Sequence, residues 1–179
     1  MVGVKDIVEG KKLLDAYRQK GDLKKLIEEA SKYVDNDRSR QSLKLAIECC
    51  NKVLANSHSD NKFIIDTLNI KGAAYEKLNL HEDALKCYEE LIKLNPLDAE
   101  ARYKAGNVFK ATNRYDDAVG FYESAIQIDP KNIEFWGGKA EILTSLGKYE
   151  EALGCLDEAL EIRERSDILY KKGITHITL

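Results

Sequence analysis

The chain has 179 residues and carries 28 Lys and Arg residues against 31 Asp and Glu residues, a formal charge of −3 at pH 7. A length of this order corresponds to one domain or to one continuous repeat array. The slight acidic excess argues against a general nucleic-acid binder, which would present a basic face. With 33% charged residues and only 11 Gly and 2 Pro, the composition favours helices over strands.

The sequence lacks the features of targeting and membrane-spanning segments. Its N-terminal stretch has a charge every few residues, which predicts no signal peptide, and no segment approaches the ~18 apolar residues of a membrane helix. The cysteines do not have the spacing of a zinc or redox motif, so they are predicted to be buried thiols of a reducing compartment: Cys49, Cys50, Cys87 and Cys155. We expect a cytoplasmic protein without membrane contact, metal ion or cofactor.

Helices are predicted at Val4–Gln19, Leu23–Val34 and Arg40–Asn56. The apolar spacing of Arg40–Asn56 matches that of helices later in the chain. It is therefore predicted to be the second helix of a degenerate hairpin, with Leu23–Val34 as its shortened partner and residues 57–61 as an enlarged turn. Val4–Gln19 is then an extra leading helix. An alternative register, which the sequence leaves open, pairs Val4–Gln19 with Leu23–Val34.

Residues 65–98, 99–132 and 133–166 form three consecutive segments of 34 residues with the same internal pattern. Small and large apolar residues fall in phase at four places: Gly72, Gly106 and Ala140; Tyr75, Phe109 and Leu143; Ala84, Ala118 and Ala152; Tyr88, Tyr122 and Leu156. Apolar residues at steps of three and four place one face of a helix against a neighbour. Each segment is therefore predicted to contain two packed helices.

Residues that terminate or cap helices predict where these helices begin and end. Asn79, Asn113 and Gly147 stand where the first helix must stop, and these residue types tolerate the left-handed conformation of a helix C-terminus. Pro96 and Pro130 end the second helix. The side chains of Asp98 and Asn132 are predicted to cap the helices that follow. Small residues such as Gly72 and Gly106 are predicted to allow close approach of two helices.

These segments resemble tetratricopeptide repeats. The residues that carry the resemblance are Gly106, Phe109, Ala118, Tyr122, Ala125, Pro130 and Trp136. The resemblance implies an all-α fold, a tetratricopeptide α-solenoid in which antiparallel helix pairs form a right-handed superhelix. There are departures from the pattern: Arg102 occupies a place usually held by a large apolar residue, Lys71 and Lys139 replace leucine, and Glu164 replaces proline.

The resulting division of the chain has five parts: residues 1–64 with one degenerate repeat, three repeats at 65–98, 99–132 and 133–166, and residues 166–179. The last part is predicted to be a capping helix or the first helix of a truncated repeat. We expect a helix there because Leu169, Lys172 and Gly173 match Leu68, Lys71 and Gly72 when one residue is deleted from the preceding turn.

The resemblance also implies a function, since tetratricopeptide repeats bind peptides or partner segments on the concave face formed by their first helices. On that face the in-phase candidates are Asn69, Tyr103, Asn107, Lys110, Glu141 and Tyr170. Asparagine amides can pair with a peptide backbone, tyrosine offers apolar area with a polar tip, and lysine can meet a carboxylate. The family's carboxylate clamp is not expected, because its places read Asn69, Ala73, Lys104, Glu134 and Gly138 in one register and Tyr103, Asn107, Gly138, Asp167 and Lys171 in the next.

Catalysis is not predicted. His58, His81 and His176 have no neighbouring residues in the arrangement of a catalytic triad or a metal site. The predicted function is a non-catalytic scaffold for a protein or peptide partner that the sequence does not identify. Two alternatives remain: self-association, including a homodimer, through an apolar face of Ile168, Leu169, Ile174 and Ile177, or the adaptor region of a larger enzyme.

Overall fold

A computed structural model describes residues 23–36, 39–56, 61–162 and 166–178. Within these residues all regular secondary structure is α-helical, and the nine helices fall into two compact units, one within Met1–Leu94 and one within Asn95–Leu179. The leading helix predicted for Val4–Gln19, and with it the alternative register, lies outside the described residues. Among the described helices, none combines the length and the apolar composition that crossing a bilayer requires.

The first unit contains four described helices, α1 Leu23–Asn36, α2 Arg40–Asn56, α3 Asn61–Lys77 and α4 His81–Leu94. Helix α1 packs against both α2 and α3, α2 packs against α3, and α3 packs against α4. Helix α2 has its predicted bounds, whereas α3 begins at Asn61, which we assigned to a turn. Within this first part of α3, the Thr67 hydroxyl donates to the Phe63 carbonyl at 2.6 Å. The assignment of α1 and α2 to one degenerate repeat stays a prediction.

The second unit contains five described helices, α5 Ala99–Ala111, α6 Tyr115–Ile128, α7 Ile133–Ser145, α8 Tyr149–Ile162 and α9 Ser166–Thr178. Helix α5 packs against α6 and α7, and each later helix packs against its successor. Ile168 of α9 is buried in a cluster with Leu143, Leu156 and other residues of α7 and α8. Helix α9 is therefore anchored to the second unit by its own apolar face.

The predicted helix ends are confirmed at the residues that the pattern singled out. Asn79 and Asn113 both have φ of 58°, and Gly147 has φ of 74°. The Asp98 carboxylate accepts from the Ala101 N–H at 2.9 Å, and the Asn132 side-chain oxygen accepts from the Glu134 N–H at 3.1 Å. Left-handed residues stop the first helices, and side-chain caps satisfy N–H groups at the start of α5 and α7.

The same glycine–tyrosine contact joins the two helices of a hairpin in each unit. A Cβ at Gly72 would lie 2.7 Å from a ring carbon of Tyr88, and a Cβ at Gly106 would lie 2.7 Å from a ring carbon of Tyr122. Both tyrosines are fully buried. Only a residue without a side chain allows the ring to pack this closely on the helix, which confirms the predicted role of these small residues.

Three charged residues that depart from the repeat pattern have polar partners. The Arg102 guanidinium donates to the Ser124 hydroxyl at 2.9 Å, Lys139 forms an ion pair with Glu123 at 2.8 Å, and the ammonium of Lys71 lies 5.8 Å from the ring centroid of Tyr75. Long basic side chains can cover apolar surface with their methylene groups while their head groups find such partners. The packing therefore accommodates charged residues at places where an apolar residue is usual.

Candidate functional site

The aromatic residue Tyr103 of α5 lies between two other rings of the second unit. Its ring centroid is 5.5 Å from that of Tyr122 on α6 and 5.0 Å from that of Phe135 on α7. Burial raises the pKa of Tyr103 above its usual value, and a hydrogen bond with Asn107 opposes that rise. We predicted Tyr103 as an exposed contact residue, and the structure shows a half-buried ring held in a fixed position.

Asn107, one turn after Tyr103, is also held by its neighbours. The Tyr122 hydroxyl donates to the side-chain oxygen of Asn107 at 2.7 Å, while burial raises the pKa of Tyr122 well above its usual value. This hydrogen bond uses one of the two acceptor sites of the Asn107 oxygen. The amide is thus fixed in orientation, with less acceptor capacity for a ligand than the sequence suggested.

Lys110 continues this face toward α7 and α9 through a chain of three charges. Its ammonium lies 3.4 Å from a carboxylate oxygen of Glu141 on α7, and the same oxygen lies 4.0 Å from the ammonium of Lys171 on α9. The three side chains retain 32%, 50% and 45% of their exposure. Two lysines therefore share one carboxylate at an exposed surface.

A small cavity of about 180 Å³ lies between α7 and α9, beside these charges. Ala140, Leu156 and Ile174 supply apolar walls, and Thr144 and Thr175 supply hydroxyl groups. The Thr175 hydroxyl donates to the Lys171 carbonyl at 2.9 Å. Tyr170, another predicted contact residue, lies on α9, but its side chain is outside the described residues. We use the name "α5/α7/α9 face" for the surface formed by Tyr103, Asn107, Lys110, Glu141 and Lys171.

Asn69, the remaining predicted site residue, belongs to the first unit. Its amide donates to the Ile65 carbonyl of its own helix at 3.1 Å, and its side chain lines a cleft between α3 and α1. The structure therefore brings together Tyr103, Asn107, Lys110 and Glu141 within the second unit, while Asn69 lines a cleft of the first. Our site prediction missed the α1 residues of that cleft because the weak repeat pattern before residue 65 gave no phase for choosing them.

No cluster of three or more metal-binding side chains is present in the described part of the chain. The Nδ1 atom of His81, at the start of α4, is buried and has no hydrogen-bond partner among the described atoms. The four cysteines are free and buried. Their burial confirms the packing role predicted for them.

Comparison with known proteins agrees with this architecture. Two tetratricopeptide repeat profiles match residues 71–133 and 109–176, so that together they cover more than half of the chain. No match was found among the curated proteins. A crystal structure of MamA superimposes with a TM-score of 0.72 and 25% identity, covering 87% of this chain and 85% of that chain.

Two further solved structures are tetratricopeptide domains in complexes. The TPR2B domain of yeast Sti1 in a pHsp70 complex has a TM-score of 0.62 and 20% identity, covering 65% of this chain and 98% of that one. The first such domain of Spaghetti (RPAP3), bound to the HSP90 peptide SRMEEVD, has a TM-score of 0.61 and 16% identity, covering 67% and 95%. At these identities the likeness concerns the fold.

The chain belongs to the tetratricopeptide repeat family. Its fold class is the predicted one, an all-α tetratricopeptide solenoid built from neighbouring helix pairs.

Proposed function

We propose that this protein is a non-catalytic interaction module that binds a peptide or partner segment on the α5/α7/α9 face. The observation that carries the proposal is that Tyr103, Asn107, Lys110 and Glu141 lie on adjoining first helices, with an aromatic surface, an amide and an ion pair in succession. Proteins of this fold that are solved with bound peptides support it, as does the generally non-catalytic role of the family. Cytoplasmic location stays a prediction.

The fixed orientation of these side chains favours binding. Immobilising a rotamer-rich side chain at an interface costs ~0.5–1.5 kcal/mol. Tyr103 and Asn107 are already held by Tyr122 and Phe135 before a ligand arrives. Binding on this face therefore loses little side-chain entropy on the protein's side.

The charge chain limits the ligand chemistry. A ligand carboxylate can pair with Lys110 or Lys171 only in competition with Glu141, which both lysines already contact. The clamp positions of the family hold Glu134 and Gly138 here. We therefore propose a ligand held mainly by its backbone and by an apolar side chain, with a single acidic group as a secondary contact.

Peptide display against the full chain tests this function. Selected peptides are titrated into the unmodified protein, the Y103A/N107A variant and a matched control, Q127A/E158A, whose two positions are exposed on α6 and α8. We expect at least a tenfold (order-of-magnitude) loss of affinity for Y103A/N107A and about twofold or less for the control. Circular dichroism verifies the fold of each variant. Equal affinity of Y103A/N107A and the unmodified protein would reject the face.

As a second candidate we propose self-association through α9. Leu169 and Ile174 are 45% and 41% exposed, whereas Ile168 is buried within its own unit and does not belong to the predicted apolar face. The side chain of Ile177 lies outside the described residues. Sedimentation of the full chain at high concentration should show a dimer that I174K abolishes. A monomer at every concentration excludes this candidate.

A further inference from the structure

A cleft of about 590 Å³ lies between α1 and α3 in the first unit, whereas the α5/α7/α9 face belongs to the second. The lining residues of α1 recur at steps of three and four from Ile27 to Asp35, and those of α3 include Asp66 and Ile70. This spacing places each set on one side of its helix. The cleft is therefore a groove between two helix faces.

The floor of this groove is apolar. Ile27 and Ile70 are partly buried and pack against the hydrophobic core of the first unit. Their remaining exposed surface faces the cleft that they line. Removing apolar surface from water is favourable, so an apolar side chain of a partner placed here is stabilised by burial.

The walls of the groove carry an excess of negative charge. The described lining residues include three carboxylates, Glu28 and Asp35 on α1 and Asp66 on α3, and one cation, Lys32. Lys32 already pairs with Glu29 at 3.4 Å.

Within the described residues, no cation forms an ion pair with either of two of these carboxylates. Asp35 accepts from the neutral Ser31 hydroxyl at 3.0 Å, and among the described residues no cation lies within ion-pair distance of Asp66. Glu28 lies 4.0 Å from Lys24, and Lys77 donates to the Val34 carbonyl. A cationic ligand between α1 and α3 would therefore meet carboxylates on both walls.

We propose that this groove binds a partner segment in which Lys or Arg residues flank an apolar side chain. The apolar side chain packs on Ile27 and Ile70, and the cations pair with Asp35 and Asp66. An acidic segment is repelled by the same walls.

Three synthetic peptides with a common Gly/Ser background test the proposal against the full chain. The first places lysines around a leucine, the second replaces the lysines with glutamates, and the third replaces the leucine with serine. We expect the first to bind and each of the others to bind at least tenfold (order-of-magnitude) more weakly. Raising the salt from about 0.05 M to about 0.5 M should weaken the first peptide. Backbone amide shifts should locate it on α1 and α3.

Matched variants separate the groove from general charge attraction. D35N/D66N should lower the affinity for the Lys–Leu peptide about tenfold. E89Q/E90Q makes the same change in net charge at exposed positions of α4. It should change the affinity for the Lys–Leu peptide about twofold or less. Equal losses in both variants, equal binding of the Glu–Leu peptide, or shifts outside α1 and α3 would each overturn the proposal. Y103A/N107A should bind the Lys–Leu peptide as tightly as the unmodified protein does. The test of the groove is therefore independent of the test of the α5/α7/α9 face.

Discussion

The two units contain the same glycine–tyrosine contact but give the tyrosine hydroxyl different acceptors. Tyr88 of the first unit donates to the carboxylate of Glu76, whereas Tyr122 of the second donates to the amide oxygen of Asn107. Lys110 occupies the position in the second unit that Glu76 occupies in the first. It pairs with Glu141 of the next first helix instead.

The difference shows that packing and surface chemistry are specified separately in this fold. The ring of each tyrosine fills the space that its glycine leaves, and this steric requirement is the same in both units. The polar residues next to it are constrained only by the need to satisfy a hydroxyl group. One framework therefore presents an acidic groove between α1 and α3 and a lysine-flanked carboxylate on the α5/α7/α9 face.

The largest expected effect comes from filling the space beside either tyrosine. G72A and G106A place a Cβ 2.7 Å from a rigid, fully buried ring, so the ring or the helix must move. We expect each to lower the free energy of unfolding by about 2 kcal/mol, as overpacked cores do. Urea denaturation followed by circular dichroism measures the change.

The matched control for this prediction is G120A on α6, where an added Cβ meets nothing within 4 Å. Alanine in an exposed helical position should raise the free energy of unfolding by ~0.5–1 kcal/mol. A stabilising effect of G106A similar to that of G120A would show that the close contact is not needed. Unequal effects of G72A and G106A would show that the two units do not share one packing geometry.

Alkaline pH should distinguish the units through their buried thiols. Burial raises the pKa of Cys49 and Cys50 to about 12 and that of Cys87 to about 11, all in the first unit. Burial also raises the pKa of Cys155 in the second unit. Below the thiol pKa of the unfolded chain, the thiols keep their protons in both the folded and the unfolded state. The stabilisation that comes from burying neutral thiols is therefore fully present at these pH values. As the pH rises further, the unfolded chain alone loses protons, and stability falls until the folded pKa is reached.

Each such thiol should contribute a decrease of up to ~1.4 kcal/mol in unfolding free energy per pH unit between about pH 9 and about pH 10. Urea titrations across this range should give a shallower pH slope for C49A/C87A than for the unmodified protein. C155A should produce a smaller change in slope, because it removes one thiol rather than two. An unchanged slope in C49A/C87A would show that these thiols ionise while the protein is folded.

The sequence predicted the packing of residues 65–162 well, for a physical reason. Interior positions must be small or large in a fixed order, and helix ends require residues such as Asn79 and Gly147 that tolerate positive φ. These constraints recur every 34 residues and are therefore visible in one sequence. The start of α3 at Asn61 was not predicted, because the preceding turn has no equivalent in the other segments.

The candidate sites were less predictable from the sequence. Periodicity placed Tyr103 and Asn107 on an inner helix face, but it could not show that Tyr122 and Phe135 hold them there. The prediction that Lys110 contacts a ligand carboxylate did not include its ion pair with Glu141. Glu141 is 31 residues away and lies on a neighbouring helix. Side-chain partners across helices depend on rotamers and distances that a repeat pattern does not encode.

Removing the tyrosine hydroxyls should have a moderate effect that differs between the units. Y88F deletes a hydrogen bond to the Glu76 carboxylate, and hydrogen bonds to charged groups contribute about 1.5 kcal/mol or more. Y122F deletes a bond to the neutral Asn107 amide, for which we expect about 1 kcal/mol. Urea denaturation of both variants measures the order. A larger loss for Y122F would contradict the assignment of the charged acceptor to the first unit.

The smallest expected effect on stability comes from removing the carboxylate of Glu141. The same substitution should have a clear effect on peptide affinity. E141Q removes the ion pairs with Lys110 and Lys171 at side chains that are 32–50% exposed, and exposed ion pairs contribute only ~0.2–1 kcal/mol. The same change releases two lysines from their common anion, so peptides selected on the α5/α7/α9 face that contain an acidic residue should bind E141Q more tightly than the unmodified protein. Peptides without an acidic residue serve as the control and should bind E141Q and the unmodified protein with equal affinity. If E141Q instead lowered the affinity for acidic peptides, Glu141 would be positioning the lysines rather than competing with the ligand.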